Sequence, residues 1–200
     1  MNDAAHDRLP RDPAREVHPA LPAGDLWIFG YGSLMWDPGF TYLKSSAALV
    51  RGYHRAFCIY SRRWRGTPER PGLVLGLDRG GTCHGMAFLV AADRISSTLV
   101  GLWEREMTSR VYIPRLVKAR LPHATVEALA FVADRAHHNY AGRLTLEEVA
   151  HHLVTCGGQR GPNLDYLTRT IQHLASFGVE DRRLLRLLAA AHTLRAKLSA

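Results

Sequence analysis

At 200 residues, 46% hydrophobic and 22% charged, the chain has the size and composition of one globular domain with a sizeable core. Its three cysteines, Cys58, Cys83 and Cys156, are odd in number and widely spaced with no CxxC, which argues against a disulfide framework and a thiolate zinc site and suits a reducing cytoplasm. The net charge of +8 draws acidic partners, but no RNP-like aromatic motif, zinc-finger spacing or long basic run accompanies it, so a solvated basic surface or a small anionic substrate is expected rather than a nucleic acid.

Residues 1–25 are polar and rich in Pro, Ala and charge, without the apolar core of a signal peptide, and read as a flexible arm. Residues 26–200 read as a single domain. No apolar run is long enough to span a bilayer, so no membrane partner is expected. Order begins at "LWIF", a buried strand ending in Gly30 and Gly32. Further strands are expected at "ALVRGYHRAFCIYS", "GLVLGL" and "CHGMAFLV", with "GTPERPG" as a loop between the first two and "DRGG" (78–81) as a hairpin turn between the last two. A short helix then precedes two more strands, "RVYIPRLVKARL" and "TVEALAFVA". Three helices follow: "TLEEVAHHLVTC", "NLDYLTRTIQHLASFG" and "EDRRLLRLLAAAHTLRAKL". Strands first and helices last predict an α+β fold built on a mostly antiparallel sheet or barrel.

Three features carry candidate chemistry. Gly30 and Gly32 flank Tyr31 just past a strand, where a positive φ would let the backbone approach a ligand and offer N–H groups to an anion. An ordinary tight turn is the simpler reading of a lone Gly-x-Gly. In the helix around "DRISSTLVGLWEREM", Ile95, Leu99 and Leu102 form an apolar stripe at about 100° per residue, and the next position on it is Glu106. A carboxylate there is either partly buried, with a pKa raised into the range of a general acid or base, or solvated at a frayed end, or held in an ion pair with an arginine. In the last helical region Asn163 reads as an N-cap before the stripe Leu164, Leu167, Ile171 and Leu174. Tyr166 projects roughly 120° from that stripe, either to pack under a loop or to present its hydroxyl to a ligand.

Taken in order, "FGYGSLMW", "RGYHRAF", "RGTPERPGLVLGLDRGGTCHGMAF", "LWEREM" with Tyr112 after it, and "GPNLDYL" resemble the ChaC-type γ-glutamylcyclotransferases, the glutathione-specific branch of the γ-glutamylcyclotransferase-like fold. "WEREM" departs from the Arg-Glu-Lys-Gly-Gly of many eukaryotic members but keeps the glutamate. The resemblance implies a small β-barrel with flanking helices and a helical C-terminal region. It also implies cleavage of glutathione to 5-oxoproline and cysteinylglycine without metal or organic cofactor. It matches Glu106 to the catalytic glutamate, and Phe29, Gly30, Tyr31, Gly32, Ser33 and Leu34 to the substrate-cradling loop. Tyr166 is matched to a ligand-contacting tyrosine, with Tyr112 and Arg105 as further candidates.

Other arrangements carry less. His137, His138, His151 and His152 have no metal-ligand spacing, since adjacent residues of a helix point about 100° apart. Cys83 and His84, as strand neighbours, face opposite sides of a sheet. Ser33 needs a base the sequence does not identify. Arg62, Arg63, Arg65 and Arg70 read as the approach to the site or as a solvated edge. Competing functions are a cyclotransferase for another γ-glutamyl amine, a non-catalytic binding module on the same fold, and nucleic-acid binding through the arginines.

Overall fold

The computed structural model describes residues 19–107 and 109–199; most of the expected N-terminal arm, residues 1–18, lies outside them. Strand β1 (Leu26–Gly30) leads through a single turn of 3-10 helix (Ser33–Met35) to two long strands, β2 (Lys44–Ser61) and β3 (Gly72–Val90). Helix α1 (Ile95–Glu106) precedes β4 (Tyr112–Arg120) and β5 (Thr125–Ala133). Helices α2 (Leu146–Thr155), α3 (Asn163–Ser176) and α4 (Arg182–Leu198) complete the chain, with a minimal hairpin of β6 (Gly157–Gly158) and β7 (Gly161–Pro162) between α2 and α3.

The strands close into a barrel in the order β1-β3-β2-β4-β5. All neighbours are antiparallel except β5, which meets β1 in parallel through Trp27↔Ala128 and Ile28↔Leu129 and touches β3 in parallel at Leu77↔Val132. The mostly antiparallel barrel with helices after it is the α+β architecture read from the sequence. Closure leaves no long sheet edge exposed.

One element differs. The expected hairpin at 78–81 does not reverse the chain: "GLVLGL" and "CHGMAFLV" are the two halves of β3, both paired with β2. Gly80 and Gly81 take φ of +97° and +73° opposite Gly52 at +83°, and the register jumps from Arg51↔Thr82 to Tyr53↔Arg79. The turn-forming glycines are spent on a bulge, which bends the two strands together and lets them wrap the barrel.

Core side chains form two clusters. In one, Phe29, Leu73, Leu75 and Leu77 pack with Val149, Leu153, Leu167 and Leu187 of the last three helices. In the other, Leu26, Ile28 and Leu34 pack with Leu102 and Trp103 of α1 and with Phe131. The alternation along β1 and into the loop that leaves it, Leu26 and Ile28 to one cluster and Phe29 and then Tyr31 to the other, is the period of two of a strand covered on both sides. Helix α2 starts at a capping box in which Thr145 and Glu148 each bond the other's backbone N–H.

Candidate active site

The loop leaving β1, the C-terminal end of α1 and the start of α3 meet at a cavity of about 350 Å³, at the small end of the range that holds small-molecule ligands. Tyr31, Gly32, Ser33, Leu34, Arg105, Glu106, Tyr112 and Tyr166 all line it. Residues far apart in the chain, singled out by helical spacing and by resemblance, therefore converge. Phe29 and Gly30 do not line it: Phe29 is fully buried among the barrel side chains and Gly30 is the last paired residue of β1, opposite Met86.

The glycines act through closeness rather than through positive φ. Gly32 has φ −132° and ψ −131°, and Gly30 is likewise absent from the residues with positive φ. A Cβ on Gly30 would stand 3.0 Å from the Cβ of Leu34, and one on Gly32 only 2.7 Å from the Tyr166 hydroxyl. The turn is thus compressed against α3. Its 3-10 segment opens with no side-chain cap, and the first N–H groups of a helix have no acceptor within it, so this end of the cavity presents backbone donors.

Glu106 is the last residue of α1, followed by the C-cap Met107, whose N–H bonds the carbonyl of Trp103. The helix therefore remains ordered to the position that the stripe predicted, and the glutamate side chain is 18% exposed. It is also ion-paired, with Oε1 3.2 Å from Arg105 Nε, so two of the alternatives left open by the sequence hold together. Burial pushes the carboxyl up from its ordinary range, while Arg105 and Arg160 pull it back part of the way.

Arg105 fastens the two pieces of the site. It donates to Asp37 O at 2.5 Å and to Ser33 Oγ at 2.8 Å while touching Glu106. Ser33 is thereby bonded to a cation and not to a base, which argues against a nucleophilic role. Three buried tyrosines surround the carboxylate. Tyr31 donates to Phe131 O at 2.7 Å and Tyr112 to Leu75 O at 3.0 Å. Burial raises the pKa of all three phenols, that of Tyr166 to about 12, so each is a neutral O–H at working pH.

Tyr166 both packs and faces the cavity. Its ring meets Phe57 edge-on at 5.9 Å and lies under the Arg65 guanidinium at 5.2 Å. Asn163, expected as the N-cap of this helix, instead lies just inside it after Pro162, fully buried. Its side chain bonds both the N–H and the carbonyl of Leu73, each at 2.7 Å, standing in for a strand at the start of β3. That clamp is what holds α3, and with it Tyr166, against the barrel.

Sequence reasoning missed Trp64, Asn139 and Arg160, all in the cavity wall. Arg160 lies in "GGQRGPN", a segment noted only for its glycines; the β6-β7 turn carries it beside Arg65, which donates to its carbonyl at 2.7 Å. No periodicity marks such a residue. Of the arginines noted, Arg62, Arg63 and Arg65 line the cavity, whereas Arg70 reaches Thr155 O at 3.4 Å instead. Cys83 is buried and His84 exposed, facing opposite ways as the strand period requires. His137 and His138 lie in a turn after β5, not on a helix, and among the described residues no group of metal-ligating side chains forms. No helix among those residues is long and apolar enough to cross a membrane.

A family model described as ChaC-like protein matches residues 26–194. The Escherichia coli K12 protein named glutathione-specific γ-glutamylcyclotransferase is 35% identical over 175 residues, covering 87% of this chain and 76% of that one. Human glutathione-specific γ-glutamylcyclotransferase 1 is 35% identical over 176 residues, covering 84% and 79%. A crystal structure of a γ-glutamylcyclotransferase specific to glutathione from yeast superposes with a TM-score of 0.80 over 86% of this chain and 97% of its own, at 20% identity, a likeness of fold. The chain belongs to the ChaC-like protein family.

Proposed function

We infer that the protein is a glutathione-specific γ-glutamylcyclotransferase, a lyase that converts glutathione to 5-oxoproline and cysteinylglycine. The observation that carries its mechanism is Glu106: a carboxylate of raised pKa and, among the described residues, the sole acidic one in the wall of a cavity that five arginines also line.

The γ-glutamyl α-amine attacks the γ-carbonyl carbon of its own residue. The new N–C bond closes a five-membered lactam, and the C–N bond to cysteine breaks. Such an attack has a high effective molarity once the substrate is held bent, so the protein has mainly to orient it and to move protons. Glu106 takes one proton from the α-ammonium, freeing the amine to attack, and returns it to the departing nitrogen of cysteinylglycine, which leaves as an amine; the second proton that the ring nitrogen sheds on becoming a lactam N–H passes to solvent. A carboxylate above its ordinary range can do both near neutral pH. Backbone N–H groups of the Tyr31–Leu34 loop face the γ-glutamyl end and the oxygen on which charge develops. Tyr166, kept neutral, offers a further hydrogen bond, Tyr112, whose O–H is given to Leu75 O, can accept one, and Arg105 orients Glu106. No enzyme nucleophile, metal or organic cofactor enters this scheme. The free thiols of Cys58, Cys83 and Cys156 suit a cytoplasmic setting.

The test follows 5-oxoproline by mass spectrometry from reduced glutathione, oxidised glutathione and γ-glutamyl-alanine, with Glu106→Gln in parallel. Release from reduced glutathione alone is expected, with a loss in the variant on the order of 10²-fold to 10⁴-fold. Equal release from γ-glutamyl-alanine would mean a broader γ-glutamyl substrate. No release from any would leave a binding module.

A further inference from the structure

Most of the cationic side chains in the cavity wall are already engaged. Arg105 holds Ser33, Asp37 and Glu106. Arg65 is buried on the carbonyls of Arg160 and Pro162, and Arg62 donates to Asn139 Oδ1 and Pro68 O. Arg63 and Arg160 differ. Their guanidinium carbons stand 4.5 and 4.7 Å from the centre of the Trp64 ring, so the indole carries both. The two segments are joined by backbone as well: Gln159 N–H bonds Arg63 O at 2.9 Å and Arg160 N–H bonds Trp64 O at 3.0 Å. Arg63 Nε also donates to Gln159 Oε1 at 3.1 Å.

Neither arginine is paired with a carboxylate among the described residues, and both are exposed while lining the cavity, which places them at its mouth. Two like charges held on one indole repel each other, and an anion bound between them relieves that repulsion. Guanidinium groups already fixed on a ring lose little freedom when they take a carboxylate in a fork of N–H donors. Glutathione carries two carboxylates, and the loop and Glu106 take its γ-glutamyl end.

We propose that Arg63 and Arg160, mounted on Trp64, bind the glycyl carboxylate of glutathione and thereby set the preference for the tripeptide. This rests on the cyclotransferase reading. Glutathione monoethyl ester, in which the glycyl carboxylate is masked, is the comparison substrate. Wild type, Arg63→Gln and Arg160→Gln are assayed on glutathione and on the ester, with thermal melts to verify folding.

Wild type is expected to favour glutathione in kcat/KM by about tenfold or more, the value of a charge-assisted hydrogen bond. In either variant that ratio should fall towards one, with the loss in KM for glutathione. An unchanged ratio, or equal losses on both substrates, would overturn the proposal and place the pair on the γ-glutamyl carboxylate or on neither. If wild type yields no 5-oxoproline, the cyclotransferase reading fails by itself. Calorimetric binding of the same two ligands to the same three proteins then decides the clamp: selective weakening of glutathione sustains it, and equal or absent binding overturns it.

Discussion

Arg55 Nε donates to the carbonyl of Tyr31 at 2.5 Å, from a side chain that is itself buried. The same guanidinium bonds His84 O at 2.5 Å and Asp181 at 3.1 Å. One residue of β2 thus ties the site loop to β3 and to the start of α4. Because a trans peptide is planar, with its C=O and N–H opposed, fixing the Tyr31 carbonyl also turns the Gly32 N–H away from Arg55. Replacing Arg55 by Met strands Asp181 and two carbonyls. A loss of about 3–5 kcal/mol is expected, read from urea midpoints. Asp181→Asn keeps a good cap for α4 and the bond to Tyr31, and should lose distinctly less; equal losses would mean that the ion pair alone matters.

The raised pKa of Glu106 has two consequences with opposite value for the protein. As a base it must be ionised, so kcat/KM for glutathione should fall on acidification with a midpoint above the 4.5 of an ordinary glutamate. A midpoint at or below that value would remove burial from the account. In stability the sign reverses. A folded pKa above the unfolded one means that the native state binds more protons in the window between them, so stability falls as pH rises from 4.5 through the folded pKa. Glu106→Gln is therefore expected to melt higher than wild type at neutral pH, and the gap should close below pH 4.5.

Gly32→Ala would place a methyl 2.7 Å from the Tyr166 hydroxyl, well inside van der Waals contact. One of the two must move, and kcat/KM should drop on the order of tenfold to 100-fold from misplacement alone. Adding Tyr166→Phe removes the clashing oxygen. The double variant should recover the thermal midpoint of wild type without recovering its activity. Recovery of both would deny the tyrosine hydroxyl any part in substrate contact.

Asn163→Ala leaves the N–H and carbonyl of Leu73 buried without their partner. The expected cost is about 2–4 kcal/mol, measured by chemical denaturation. Asn163→Asp keeps the shape but, ionised, cannot donate to the Leu73 carbonyl, and should be destabilised as well. A neutral effect of either change would mean that α3 is held by its apolar stripe alone.

The sequence was most informative where a local pattern has one physical solution. Glu106 was visible because three apolar neighbours define a helix face and leave it the next place on that face. Tyr166 was visible as the departure from a similar face. The glycines of 78–81 were visible too, yet misread: left-handed backbone serves a hairpin and a bulge equally, and only the partner strand, with Gly52 opposite, decides between them. Asn163 reads locally as a cap because capping is the local use of its side chain; its bonds to Leu73 depend on a strand 90 residues away.

By itself, then, the amino-acid order determined where the extended and helical segments lie, a mostly antiparallel sheet or barrel and the residues with unusual chemistry, since burial periodicity and turn stereochemistry act over a few neighbours. Tertiary structure alone decided that Glu106, the Tyr31–Leu34 loop, Tyr166 and the Arg63–Trp64–Arg160 stack share one cavity. Barrel closure sets those distances, and no residue's local preference carries information about what lies across a barrel from it.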